Sequence, residues 1–197
     1  MTRIAVLIGS TRPGRRGVVV ADWVARAAAA HPAVAAGEVA VDVVDLADHA
    51  LPLLDEPVPA LAADYRHEHT RGWAEVIGSY DGFVFVTPEY NHSFPAALKN
   101  AVDFLFAEWN DKAAGFVSYG AHGGIRAVEQ LRTVLAEVKV ATVRTQVFFS
   151  MAGDLELFTD PDAWTASTYQ TENLGTMLDE LIAWTVALKP VRTKAVA

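Results

Sequence analysis

The chain has 197 residues, the length of one domain and enough to bury a sizeable core. Its 52% hydrophobic and 20% charged residues put it among globular chains, away from the disordered ones. A formal charge of −8 argues against a nucleic-acid partner. The absence of cysteine excludes disulfides, thiolate nucleophiles, iron–sulfur clusters and cysteine-ligated zinc, so any electrons that are moved need an organic carrier.

No apolar run approaches the roughly 18–20 residues that span a bilayer. The first such run, Ile4 to Ile8, meets glycine, proline and arginines instead of a small-residue cleavage site. These features predict a cytoplasmic protein with no membrane insertion.

In chain order, Arg3–Ile8 is the first predicted strand, and it breaks at Gly9 into Ser10-Thr11-Arg12-Pro13-Gly14-Arg15-Arg16-Gly17. A helix follows over Gly17–Ala30 and stops before His31-Pro32. A strand, a glycine-bearing loop and a helix start form an anion site, because loop amides and the helix dipole both present positive charge. Ser10 and Thr11 add hydroxyl donors, and Arg12, Arg15 and Arg16 can clamp phosphate oxygens. Four of the sixteen Lys+Arg residues fall in the first sixteen positions, a local exception in an acidic chain. The dinucleotide pattern G-x-G-x-x-G is absent. Gly9 and Gly14 have the P-loop spacing, but Arg15-Arg16 stand where its lysine and hydroxyl belong, which argues against a nucleoside triphosphatase. What remains suits the terminal phosphate of a nucleotide or flavin.

Glu38–Leu46 alternates valine with acid and predicts a second strand at a sheet edge. Ala47–Ala63, with Pro52, Pro57 and Pro59, is a loop over the carboxyl side of the sheet. A helix over Tyr65–Ser79 carries His67 and His69, whose side chains on a helix point roughly 200° apart, too divergent to share one metal. Gly82–Thr87 is apolar throughout, as a buried central strand should be, and leads through Pro88-Glu89-Tyr90-Asn91 into a helix over Pro95–Ala107. Ala113–Tyr119 is the fourth strand, Gly120–Gly124 its loop, and Ile125–Val138 the helix after it. Thr142–Phe149 is the fifth strand, 154–168 is irregular, and Glu172–Leu188 is a closing helix with a core-facing stripe.

Five strands alternating with helices predict one α/β domain over 1–197. It is a flavodoxin-like, three-layer, doubly wound parallel sheet of order 2-1-3-4-5. Ligands in such sheets sit beyond the strand carboxyl ends, so the loops 10–17, 88–91 and 118–124 should meet around one ligand. Tyr90 can stack on a flat ring and Asn91 can bond its edge, although Asn91 or Ser93 would serve equally as a helix cap. Gly120, Gly123 and Gly124 let main chain approach a ligand, or simply make a tight turn. His122 either reaches the substrate side or is exposed.

Gly9-Ser10-Thr11-Arg12-Pro13-Gly14-Arg15, then Thr87-Pro88-Glu89-Tyr90-Asn91 with Pro95 and Leu98-Lys99-Asn100, then Ser118-Tyr119-Gly120 with Gly123-Gly124, closely resemble the NAD(P)H-dependent FMN reductase family over roughly residues 3–150. That family includes flavin, quinone, chromate and azo-dye reductases. The resemblance implies bound FMN, with Ser10, Arg12, Arg16 and Gly17 around its phosphate. It also implies Pro88, Glu89, Tyr90, Asn91, Ser118, Tyr119, Gly120, Gly123 and Gly124 along its isoalloxazine. Many members carry Ser or Asn where this chain has Arg16 and Gly17. NADPH or NADH would be the reductant and a quinone, free flavin or similar small molecule the acceptor, by ping-pong exchange without a covalent nucleophile. Members are commonly dimers or tetramers, which makes Phe104, Phe106, Glu108 and Trp109 candidates for a subunit boundary. The alternative is a flavodoxin-type electron carrier, whose acidity would serve docking on a protein partner.

Overall fold

The computed structural model describes residues 1–194. Its strands are β1 (Thr2–Ile8), β2 (Val39–Asp45), β3 (Gly82–Pro88), β4 (Lys112–Gly120) and β5 (Val140–Ser150). They form one parallel sheet of order β2-β1-β3-β4-β5, the flavodoxin-like arrangement. The helices are α1 (Gly17–Ala29), α2 (Pro32–Ala35), α3 (Glu68–Gly78), α4 (Ala96–Asp103), α5 (Ile125–Glu137), α6 (Leu155–Thr159) and α7 (Thr168–Lys194).

Side chains alternate across a strand, and β1 shows what that does here. Ile4, Val6 and Ile8 face a layer built with α1 and α7, while Ala5 and Leu7 face the layer of α3, α4 and α5. Both faces of β3 are covered, so all its residues are buried, whereas β2 at the edge is only partly so. The register levels the carboxyl ends: Ile8 pairs with Val86, Thr87 with Ser118 and Pro88 with Tyr119. The three loops that follow therefore leave one rim of the sheet side by side.

Several expectations are corrected. The helix predicted to reach Ala107 stops at Asp103, because the chain then turns Phe104, Leu105 and Trp109 into the core. Phe104 and Trp109 are both fully buried, and Trp109 donates its indole N–H to the Val102 carbonyl at 3.2 Å, so neither belongs to a subunit boundary. His67 precedes α3 in extended conformation, which brings its ring parallel to that of His69 at 5.2 Å instead of pointing away. Both rings meet Asp55: His69 Nε2 lies 2.9 Å from the carboxylate and His67 Nε2 3.2 Å from the backbone carbonyl. Among the described residues no acid–histidine cluster is arranged to hold a metal. The stretch expected to be irregular contains α6, and α7 begins at Thr168, ahead of the expected Glu172. Trp164, between them, packs edge-on against Trp23 and Phe149, which ties this segment to the α1 layer. Among the described residues no helix is long and apolar enough to cross a membrane.

Candidate functional site

The site grows from the rim where β1, β3 and β4 end. Ser10, wholly buried, shares a 3.2 Å hydrogen bond with the hydroxyl of Tyr119 at the end of β4. Burial pushes the Tyr119 phenol up to about 12, with the Ser10 bond pulling weakly the other way, so it stays a neutral hydroxyl. α1 starts directly above this pair. Its first turn has no acidic residue and no side-chain cap, which leaves its amides available. Gly17 is what permits the approach. A Cβ there would sit 2.8 Å from Ser10 Oγ, 2.9 Å from Ile8 Cγ2 and 3.0 Å from the Tyr119 hydroxyl.

The three arginines of the loop are in three different states. The Arg12 guanidinium lies over the Tyr90 ring, 5.6 Å from its centroid. Arg15 forms an ion pair through Nη2 with Asp45 at the end of β2, and its Nε is buried without a hydrogen-bond partner. Arg16 donates Nη2 to the Phe158 carbonyl of α6 at 2.7 Å.

All three line one cavity of about 250 Å³, together with Pro88, Glu89, Tyr90, Tyr119, Gly120, Ala121, Met151 and Phe158. The loops after β1, β3 and β4 thus meet as the strand order requires. Ser10 and Gly17 sit just behind the wall, against Tyr119. Asn91, Ser118, Gly123 and Gly124 are not on the wall; they shape its turns. Asn91 and His92 have positive φ in a tight turn closed by Tyr90 N–H to Ser93 O (2.8 Å) and Ser93 N–H to Tyr90 O (3.1 Å). Ser118 donates its hydroxyl to the Gly123 carbonyl at 2.6 Å, and Gly124 has a φ of +71° with Ser118 Cβ only 2.9 Å from where its own Cβ would be. His122 is exposed and off the wall.

Glu89 lines the cavity but turns its carboxylate toward α5, where it pairs with Arg126. Burial would raise its pKa; the Arg126 bond and charge and the Ala127 and Arg126 amides outweigh that and hold the carboxyl below its usual value. Gly124, at the N-cap just before α5, offers no side chain, so Glu89 supplies the anion this helix start lacks. Sequence reasoning missed Met151, Phe158 and Asp45. Met151 directly follows β5 and Asp45 ends β2, so the carboxyl-end rule that found the other loops contained the signal for both. Phe158, on a helix the sequence did not announce, gave none.

The model of the NADPH-dependent FMN reductase family matches residues 2–154. The chain belongs to that family. The reductase is 39% identical over 154 residues to an NAD(P)H-dependent FMN reductase of Schizosaccharomyces pombe, covering 77% of this chain and 74% of the relative. It is 31% identical over 170 residues, 81% of each chain, to a quinone reductase of Escherichia coli. The solved structure of FerB, a flavoenzyme NAD(P)H:(acceptor) oxidoreductase from Paracoccus denitrificans, matches with a TM-score of 0.70 at 21% identity over 95% of this chain and 98% of that one; at that identity the likeness bears on the fold alone. Membership makes the reductase an oxidoreductase that works with FMN and NAD(P)H, and it decides for the enzyme over the electron carrier. The residues present fit the flavin. A buried guanidinium nitrogen lacks an acceptor, a helix start lacks a cap, and Tyr90 and Tyr119 flank a cavity entered by three cations in an acidic chain.

Proposed function

We propose that the reductase binds FMN across this cavity, with the phosphate on residues 10–17 and the α1 amides and the ring on the Tyr90 side. It then passes reducing equivalents from NAD(P)H to a small acceptor such as a quinone or free flavin. The observation that carries this reading is the gathering of Arg12, Arg15 and Arg16 with Tyr90 and Tyr119 in one cavity at the switch point of the sheet. Bound there, FMN would supply the redox chemistry that links the nicotinamide to the acceptor.

The protein's own residues bind and orient. Among the described residues Arg12 leaves only the face of Tyr90 to meet a phosphate oxygen. Arg16 bonds a neutral carbonyl and keeps its full charge for the anion. Ser10, held by Tyr119, presents a fixed hydroxyl under the helix start. Glu89 and the Gly123–Gly124 turn hold the second and third loops at fixed spacing: Glu89 N–H donates to the Tyr119 carbonyl at 3.1 Å while its carboxylate holds α5. No cysteine and no nucleophile elbow offer a covalent route. One cavity visited in turn by reductant and acceptor gives ping-pong kinetics. Parallel double-reciprocal lines are the expected result, and intersecting lines with a ternary complex would overturn it.

Arg12→Ala tests the phosphate site. Loss of a charge-assisted bond should weaken FMN binding by roughly 1.5–3 kcal/mol and leave riboflavin, which has no phosphate, unaffected. An unchanged FMN dissociation constant would remove Arg12 from the site. The family resemblance also implies a homodimer or homotetramer. With Phe104 and Trp109 in the core, the exposed Leu53, Leu54 and Leu61 become the apolar surface for it, and light scattering reports the assembly.

A further inference from the structure

The cations of the anion loop are not equivalent, and the difference lies outside the loop. Asp45 ends the edge strand β2, 30 residues from Arg15. One of its oxygens accepts the Ala47 amide at 3.0 Å and the other pairs with Arg15 Nη2. Both side chains are largely withdrawn from water, 18% exposed for Arg15 and 16% for Asp45, so solvent screens the pair only in part. Among the described residues Arg12 has no carboxylate partner, and Arg16 bonds a neutral carbonyl. Of three guanidiniums on the cavity wall, one is therefore already neutralised by the protein. That one also carries a buried Nε with no acceptor, so its hydrogen-bonding capacity is incompletely used.

Resting on the flavin reading above, we infer that Asp45 is a built-in competitor for the cofactor's phosphate and the residue that sets how tightly the reductase keeps FMN over uncharged flavin. A dianionic phosphate ester and the Asp45 carboxylate draw on the same guanidinium. While it pairs with Arg15, Asp45 withholds that guanidinium from the phosphate, and what it costs is paid only by ligands that carry a phosphate. Riboflavin makes no demand on Arg15 and is blind to Asp45. The device makes FMN exchangeable without altering the surface that the ring rests on.

The test is Asp45→Asn, which keeps the shape and an acceptor for the Ala47 amide. Dissociation constants for FMN and for riboflavin are read from quenching of flavin fluorescence, with inorganic phosphate as a competitor. FMN should bind tighter by roughly tenfold or more, the gain from one charge-assisted contact of the released Arg15 with the phosphate, with riboflavin unchanged. The gain should vanish when Arg15→Gln is also present, since the competition is for Arg15. Weaker FMN binding would overturn the inference and make Asp45 a holder of Arg15. Equal changes for both flavins would overturn it in favour of an effect on the fold. A gain that survives Arg15→Gln would overturn it in favour of plain repulsion between Asp45 and the phosphate. If the unmutated protein bound neither flavin, the reading of the cavity itself would fail, a result separate from all of these.

Discussion

Gly17→Ala is the sharpest probe of how the site is built. Gly17 opens α1, where alanine is ordinarily the better helix former by up to about 1 kcal/mol. Its backbone is not of the kind that demands glycine, so the objection to a side chain is one of space. The new Cβ would meet Ser10 Oγ at 2.8 Å, Ile8 Cγ2 at 2.9 Å and the Tyr119 hydroxyl at 3.0 Å, all inside ordinary contact. None can yield freely. Ser10 is 0% exposed, Ile8 2% and Tyr119 5%, with the tyrosine ring bonded back to Ser10. Overpacking of a closed core costs typically 1–3 kcal/mol, and parting Ser10 from Tyr119 adds about 1 kcal/mol. Against the helix gain, the net loss is about 1–3 kcal/mol, or roughly 2–12 °C in melting temperature for a chain of this size. The assay is urea and thermal unfolding of the flavin-free protein, followed by FMN titration, which should show weaker binding as Ser10 is displaced. Gly72→Ala is the control. Gly72 lies inside α3 with nothing within 4 Å of its would-be Cβ, and the same exchange there should stabilise by about 0.5–1 kcal/mol. A Gly17→Ala protein as stable as its parent, with unchanged FMN affinity, would refute the packing account.

Lys112 gives a pH signature far from the site. Burial, with the charge of Arg192 adding to it and Asp81 and Glu108 opposing, lowers the ammonium to about 8, while its Nζ donates to the Ile77 carbonyl at 2.8 Å. The unfolded chain keeps that proton up to about pH 10.5 and the folded chain sheds it near 8, so stability rises with pH across that window, by about 3 kcal/mol. Lys112→Met, which still packs against Phe83, should abolish the rise; a persisting one in urea unfolding at pH 7.5 and 10 would assign it elsewhere. Glu89→Gln should cost about 1–2 kcal/mol, since it strips α5 of its anion and leaves the half-exposed Arg126 to water. Because the Glu89 carboxyl is held below its unfolded value, its contribution is full above pH 4.5 and fades as pH falls through the folded pKa. A parent and variant with parallel stability curves from pH 3 to 7 would contradict this.

Much of the framework was legible from local signals. The apolar runs Ile4–Ile8 and Gly82–Thr87 are short, β-rich and buried on both faces, and they became the two central strands. Valine alternating with acid marked β2 as an edge. Given the strand order, Arg12, Arg16, Tyr90 and Tyr119 had to share one rim, and they do share one cavity. What misled was local in the same way. The local pattern puts His67 and His69 on one helix, yet the helix begins one residue too late for both, and the extended backbone at His67 turns its ring alongside its neighbour's. Phe104 and Trp109 carry no local mark of their depth. The turn after Asp103 sends both into the core, Trp109 against Trp73, Phe83 and Phe85 and Phe104 edge-on to the His69 ring.

By itself the sequence determined the alternation of strands and helices, the three loops and an anion-seeking cluster of arginines, because these rest on periodicity, turn chemistry and charge within a few residues. Only the tertiary structure decided what each cation is facing. Arg15 meets Asp45 across the sheet edge, Arg16 meets a carbonyl 142 residues away, and Arg12 is left to an aromatic face. Electrostatic pairing depends on distance through space and on withdrawal from water. Neither quantity exists until the chain has closed on itself.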